Sequence, residues 1–339
     1  MAKVAFRFLD RDEVRALLPP VQTLLEVVER GLSAHGRGEV VLPPKSHIDL
    51  DDRYNGHFNV LAGWAGPIDL AGVKVVGDYV DNYRLGLPSE VAMLTLYEPR
   101  TGVPRALMDA TDITTWRTGA VSGIGAKHLA AAGSTIVGHI GARGTAFANV
   151  AALASLFDLA AVRITSKRRE TREALARRVE KALSIEAVAC ETVAETVCDA
   201  DIVVEATRLE KPAILIADAW LKPSALLITY GWVMAVDPAT VKRASKVVVD
   251  DWAQCAKGGQ LYPLIARGAL VRDHIHAEIG EICAGLKPGR GADDGAIVFW
   301  HRGFALSDIM LGHHVLTEAE RRGVGQVLTL FDRGDESLL

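Results

Sequence analysis

Residues 134–146 read Ser-Thr-Ile-Val-Gly-His-Ile-Gly-Ala-Arg-Gly-Thr-Ala, and this stretch limits the possible folds more than any other. An apolar strand runs into a glycine turn and then into an Ala- and Leu-rich helical run, 147–157. In a βαβ unit such a turn brings backbone N–H groups and a helix N-terminus against a pyrophosphate. Gly141 makes the tight turn. Arg143 stands where the second glycine is usual, with Gly144 beside it, and Ala146 is the small residue that lets helix and strand pack closely. Ala142 and Thr145 complete the candidate phosphate-binding turn. The spacing is Gly-x-x-Gly-x-Ala and not Gly-x-Gly-x-x-Gly, so its context has to carry the assignment.

That context is a second strand, 161–165, ending at Ser166, about 25 positions beyond Gly141. An NAD-selective site places an acid near this point to accept hydrogen bonds from the ribose 2′-hydroxyl. Here the chain reads Ser166, Lys167, Arg168, Arg169. A small hydroxyl followed by cations suits a 2′-phosphate, so NADP(H) is favoured over NAD(H). The structural alternative is a solvated charge run that opens the next helix.

With 339 residues the chain can hold two domains, each with its own core. A net charge of −4 with 49% hydrophobic residues points away from nucleic acid and from a membrane surface. No apolar run approaches membrane-spanning length and no basic segment precedes one at the N-terminus, so a cytoplasmic location is expected. Cys190, Cys198, Cys255 and Cys283 show no ligand spacing, and His313 and His314 point apart on a helix. No metal site is expected.

Short apolar runs at 202–205, 225–229 and 246–250 alternate with helical or turn-rich spacers, the pattern of a parallel sheet covered on both faces. The first 125 or so residues differ: a helix over 10–36, then antiparallel-type strands at 56–61, 72–76 and 90–97, with Gly102 at a hairpin tip. A last helix, 307–322, returns to this first part. The expected class is therefore α/β, with a Rossmann-type doubly wound parallel sheet domain (129–305) inserted in an α+β substrate and dimerisation domain (1–128 and 306–339).

Several segments in order resemble the ornithine cyclodeaminase/mu-crystallin family, which includes archaeal alanine dehydrogenase and ketimine reductases. They are Pro43-Pro-Lys45, Ala71-Gly-Val-Lys74, Asn82 with Gly86-Leu-Pro88, Thr101-Gly-Val-Pro104, Thr114-Thr-Trp-Arg-Thr-Gly-Ala120, Val248-Val-Asp250, Pro288-Gly-Arg290 and Gly303 to Asp308. The resemblance implies a homodimer whose substrate domains associate, a nicotinamide cofactor across the domain cleft, and reversible chemistry at the Cα of a 2-amino or 2-imino acid. It further implies Lys74 as the substrate lysine, Arg117 as the carboxylate-binding arginine and Lys45 as a second substrate cation. On the same resemblance Thr118, Thr207 and the glycine turn fall at cofactor-contacting positions and Asp308 is placed against the nicotinamide ribose; the alternative for Asp308 is a helix N-terminal charge stabilised by the dipole.

The residue chemistry agrees. A 2-imino acid carries a carboxylate beside the carbon that receives hydride, and Arg117 can grip a carboxylate with a two-point fork. Lys74, among Val73, Val75 and Val76, would have a depressed pKa if buried beside another cation, and could then exchange a proton near neutral pH. From the strand alone Lys74 reads as a lysine on the solvent face of an edge strand; the resemblance reverses that. Lys45 follows two prolines, which hold its backbone extended.

Two departures narrow the chemistry. Cyclodeaminases carry a catalytic aspartate shortly after a Gly-Ala pair in the loop following the fifth sheet strand. Here that loop, 229–238, has no acid soon after Gly231, and Asp237 precedes Pro238 as a structural pair. Losing such a group removes a factor of ~10²–10⁴, which argues for a reductase or dehydrogenase. The second departure is Phe299-Trp-His-Arg302, which makes His301 a candidate proton donor and Arg302 a candidate second anion contact. His57 lies in a strand that supplies substrate-side residues, and Asn59 replaces an arginine of the alanine dehydrogenase.

The expected function is NAD(P)H-dependent reduction of a small 2-imino acid, with iminosuccinate, pyruvate plus ammonia and cyclic ketimines as candidate substrates. A cyclodeaminase-type lyase and a mu-crystallin-like binding protein for NADP and a small ligand are the alternatives.

Overall fold

The computed structural model describes residues 3–209 and 211–332. They form two compact units. The first comprises the chain up to Ala34, Gly38–Arg117 and the chain from Phe304; the second comprises His35–Arg37 and Thr118–Gly303. The division differs from the expected breaks at 128/129 and 305/306. It falls inside the helix Thr111–Leu129, between Arg117 and Thr118. The reason is packing: from Gly119 onward the helix presses on the second unit. A Cβ at Gly119 would meet the Ala148 backbone, and one at Gly125 would meet the Phe299 ring.

In the first unit, the strands run in the order Gln326–Phe331, Val4–Leu9, Pro104–Asp109, Glu90–Tyr97, Leu70–Tyr79, Gly56–Ala65, Val40–Val41, and Ser46–Asp49 also pairs with Gly56–Ala65. Pairing is antiparallel except between Val4–Leu9 and Pro104–Asp109. The helix Ala305–Arg322 covers one face of this sheet, and Gly72 lets it come close: a Cβ there would lie 2.7 Å from Ile309 Cγ1. Along Leu70–Tyr79, Gly72, Lys74 and Val76 face inward while Val75 is 40% exposed. Val75 pairs with Met93, itself 48% exposed, so the sheet presents an apolar outer face.

The single helix expected over 10–36 is two, Arg11–Leu17 and Val21–Gly36. Pro19 and Pro20 explain the break, because proline lacks the N–H and the residue before it avoids helical geometry. Asp10 opens the first of them with a capping box to Glu13. The strands Val4–Leu9 and Gln326–Phe331 pair with each other and were not foreseen.

The second unit is a sheet in the order Glu186–Ala189, Ala161–Thr165, Ile136–Ile140, Ile202–Glu205, Leu226–Thr229, Ile297–Trp300, Lys246–Val249, Ala277–Glu278. Every one of these pairings is parallel. From Ile136–Ile140 the chain builds outward in one direction and then, from Ile202–Glu205, in the other. Ligands of open α/β sheets bind outside the strand C-termini at such a reversal, and here those ends carry Gly141 and Glu205. The strands are apolar and fully buried, as in Ile202–Glu205 and Leu226–Thr229, because a parallel sheet is covered on both faces. Among the described residues, no helix is long and apolar enough to cross a membrane.

Candidate active site

In the first unit three charged side chains meet in the interior. Lys74 comes from the strand Leu70–Tyr79, Arg117 from the helix Thr111–Leu129 and Asp308 from the first turn of the helix Ala305–Arg322. Lys74 Nζ donates to Asp308 Oδ1 at 2.8 Å and to Thr114 Oγ1 at 3.0 Å. Arg117 Nε donates to the same Asp308 oxygen at 3.1 Å. Lys74 and Asp308 have no solvent exposure, and Arg117 very little. Thr114 and Arg117 lie three apart on their helix, so both reach the same side.

Two cations share one carboxylate, and a buried excess of positive charge is costly unless an anion completes it. Asp308 Oδ2 is also buried and has no hydrogen-bond partner among the described residues. The cluster therefore offers a positive charge seeking an anion and an acceptor seeking an N–H. Burial, and then the neighbouring Arg117 charge, pull the Lys74 ammonium down to about 8, against the opposing pull of Asp308.

In the second unit, the turn 141–145 leads from the strand Ile136–Ile140 into the helix Ala146–Ala154. Gly141 has φ +102°, and a Cβ there would lie 2.6 Å from Ala206 O. Gly144 has φ +54° with open space around it. Arg143 and Gly144 are exposed, Ala142 and Thr145 half-buried, and Ala146 buried. Thr145 makes no side-chain cap on the helix. A turn with two glycines at positive φ that ends at a helix start without a side-chain cap fits a dinucleotide pyrophosphate.

The chain matches the ornithine cyclodeaminase/mu-crystallin family over residues 7–322. It belongs to that family. Alanine dehydrogenase of Archaeoglobus fulgidus is 30% identical over 328 residues, covering 95% of this chain and 98% of its own. The structure of Δ1-pyrroline-2-carboxylate reductase of Thermococcus litoralis, in complex with NADH and L-proline, is similar with a TM-score of 0.88 at 29% identity, covering 95% of this chain and 99% of its own. An archaeal alanine dehydrogenase dimer with bound NAD has a TM-score of 0.87 at 28% identity, covering 96% of this chain and 100% of its own.

The remaining residues singled out from family resemblance or from departures are scattered over both units. Asp308, in the first turn of Ala305–Arg322, has Oδ1 engaged by Lys74 and Arg117. Lys45 is half-buried just before the strand Ser46–Asp49. His57 stands 3.9 Å from Asp51 and from Asp78 and packs on His47, with ring centroids 4.4 Å apart. His47 also meets Asn59 Oδ1 at 2.9 Å.

Thr118 is buried in its helix. Thr207 bonds Glu205 through its N–H at 2.8 Å and through its hydroxyl. Ser166 spends its hydroxyl locally, donating to Arg168 O at 3.0 Å and sharing a bond with Thr171 Oγ1 at 2.8 Å. Lys167 and Arg168 are exposed. Arg172 donates to Ser166 O at 3.1 Å. His301 is buried with Nε2 3.1 Å from Ser122 Oγ. Arg302 donates to Gln254 O at 2.5 Å and lies over the Trp232 ring, 4.8 Å from its centroid.

Sequence reasoning missed Glu205. It is fully buried, held by Thr207, by Thr229 at 2.9 Å and by Gln260 at 2.5 Å, and burial raises its pKa. An acid closing an apolar strand, followed two residues later by a threonine, was the signal available.

Proposed function

We propose that this protein is a nicotinamide-dependent oxidoreductase that reduces a small 2-imino acid to the L-amino acid, or runs that reaction in reverse. The observation that carries this reading is the buried Lys74–Asp308–Arg117 cluster, with its surplus positive charge and the unpartnered Asp308 Oδ2. Arg117 grips the substrate carboxylate, neutralising it and fixing the adjacent carbon. Asp308 Oδ2 accepts the N–H of the imine. Lys74, held near a pKa of about 8, exchanges the proton that accompanies reduction. Lys45 and His57, in the same unit as the cluster, are further substrate-side candidates.

The bound nicotinamide supplies the hydride. Its dinucleotide would lie on the turn Gly141 to Ala146, with Thr118, Thr207 and the segment Ser166 to Arg168 as further contacts. Bound NADH in the pyrroline-carboxylate reductase and bound NAD in the alanine dehydrogenase support a nicotinamide cofactor. The exposed Lys167 and Arg168, with no acid at Ser166, favour NADP(H). The apolar outer face around Val75 and Met93 suits a second copy of the chain, in line with the dimeric alanine dehydrogenase.

The cation-rich substrate side suits a dicarboxylic imine such as iminosuccinate, beside pyruvate plus ammonia and cyclic ketimines. Cyclodeamination is disfavoured because Asp237, the acid of the loop 230–237, caps the helix Pro238–Arg243 by accepting the Ala239 N–H at 2.8 Å. The test is a screen of NADH and NADPH oxidation with 2-oxo acids plus ammonia or methylamine, and with cyclic imines. Ornithine incubated with NAD or NADP should yield no proline. Absence of reduction across the screen, or turnover of ornithine to proline, refutes the proposal.

A further inference from the structure

The second unit holds a chain of buried and half-buried polar groups that runs from His139 to the glycine turn. His139 lies in the strand Ile136–Ile140 with no solvent exposure. Its Nδ1 is 2.8 Å from Gly141 O, and its Nε2 is 3.0 Å from Asn149 Nδ2. Burial pushes the imidazole down to about 4, so the ring is neutral and carries one proton. The Gly141 carbonyl can only accept. The proton therefore sits on Nδ1, and Nε2 is an acceptor.

That choice fixes the orientation of the next link. Asn149 has to turn its amide nitrogen toward His139, and the same Nδ2 donates to the Tyr230 hydroxyl at 2.6 Å. Asn149 Oδ1 is left buried with no partner among the described residues, a cost accepted for this sense of the chain. The Tyr230 hydroxyl, which accepts from Asn149, lies 2.6 Å from Thr145 Oγ1, and either hydroxyl can donate in that bond. With Tyr230 as the donor, the Thr145 proton points elsewhere; the Thr145 side chain does not cap the helix Ala146–Ala154. Tyr230 is held from its other side as well, its ring stacked on His301 with centroids 4.6 Å apart.

We infer that Tyr230 is a positioning residue for the dinucleotide phosphate: by donating to Thr145 it makes that hydroxyl a fixed donor toward an anion at the glycine turn. The inference rests on the dinucleotide reading of that turn. It also gives a role to the loop after Leu226–Thr229, which lacks the cyclodeaminase acid and carries this tyrosine.

Calorimetric titration of the full-length protein with NADH, NADPH and ADP-ribose tests it without turnover. Tyr230→Phe keeps the ring stack and removes the hydroxyl, and should weaken all three ligands about tenfold, the scale of one charged hydrogen bond. Thr145→Val should match it, Thr145→Ser should bind like the parent, and the double variant Tyr230→Phe/Thr145→Val should be no weaker than either single one. A purely structural role would make the two losses multiply and Thr145→Ser fail. Multiplying losses, or parental affinity in Tyr230→Phe, overturn the inference while leaving the dinucleotide reading intact. A parent protein that binds none of the three ligands overturns both.

Discussion

The ammonium of Lys74 donates to Asp308 at 2.8 Å across 234 positions of sequence, and neither side chain touches solvent. Asp308 is the charge that holds the Lys74 proton on, against burial and Arg117. Asp308→Asn should therefore shift the Lys74 titration below about 8, moving the corresponding limb of the rate profile to lower pH. It should also lower stability by roughly 3–5 kcal/mol, the usual effect of removing one partner of a buried pair. Steady-state rates across pH and denaturant melts check both. An unmoved limb would show that Lys74 is not the titrating group.

Lys74 itself couples pH to rate and stability. Its ordinary value is near 10.5 and its folded value about 8. Between those limits the unfolded chain holds the proton and the folded protein does not, so stability rises with pH over that window and this contribution is flat below pH 8. Lys74→Met should remove the rise. In the reductive direction the parent rate should fall above about pH 8 as the proton is lost. The variant should lack that limb and lose about 10²-fold in kcat. Chemical denaturation and initial rates from pH 7 to 10.5 provide the comparison.

Arg117→Ala removes the carboxylate fork, so the imine carbon is left unanchored. The loss in kcat/KM should be at least ~10²-fold, on the order of a charged hydrogen bond plus positioning. Arg117→Lys keeps the charge but not the two-point geometry, and should recover only part. Near-parental kcat/KM in Arg117→Ala would remove this residue from the site.

Fluorescence titration should find NADPH bound more tightly than NADH. Ser166→Asp should weaken NADPH selectively, by repulsion with the 2′-phosphate. Tighter NADH binding in the parent protein would show that Lys167 and Arg168 serve only as a solvated start to the helix Arg169–Leu183.

Gly141→Ala asks a backbone at φ +102° to carry a Cβ that would lie 2.6 Å from Ala206 O. Strain of this kind costs about 1–3 kcal/mol, so the melting temperature should fall and dinucleotide binding with it. A variant that melts and binds like the parent would mean that the turn relaxes without consequence.

Local rules determined much from the sequence alone. Apolar strands, a glycine turn and an Ala-rich helix specify a parallel βαβ unit, and the spaced motifs from Pro43 to Asp308 specify the family, because each signal is complete within a few residues. Among the elements that escaped, Val4–Leu9 and Gln326–Phe331 pair with each other across the length of the chain, which no local pattern records. The helix split at Pro19 and Pro20 is a local signal, because proline lacks the N–H that a continuous helix needs. At the site, sequence supplied Lys74 and Arg117 as residue types suited to an imino acid, but Val73 and Val75 around Lys74 argued for the opposite facing. Only tertiary structure decided it. The helix Ala305–Arg322 lies over the face that carries Gly72 and Lys74 and brings Asp308 to it, while Val75 and Met93 are left outside. The physical reason is that a strand's two faces are set by what packs on them, and a buried ammonium is tolerated where a carboxylate from a distant helix meets it.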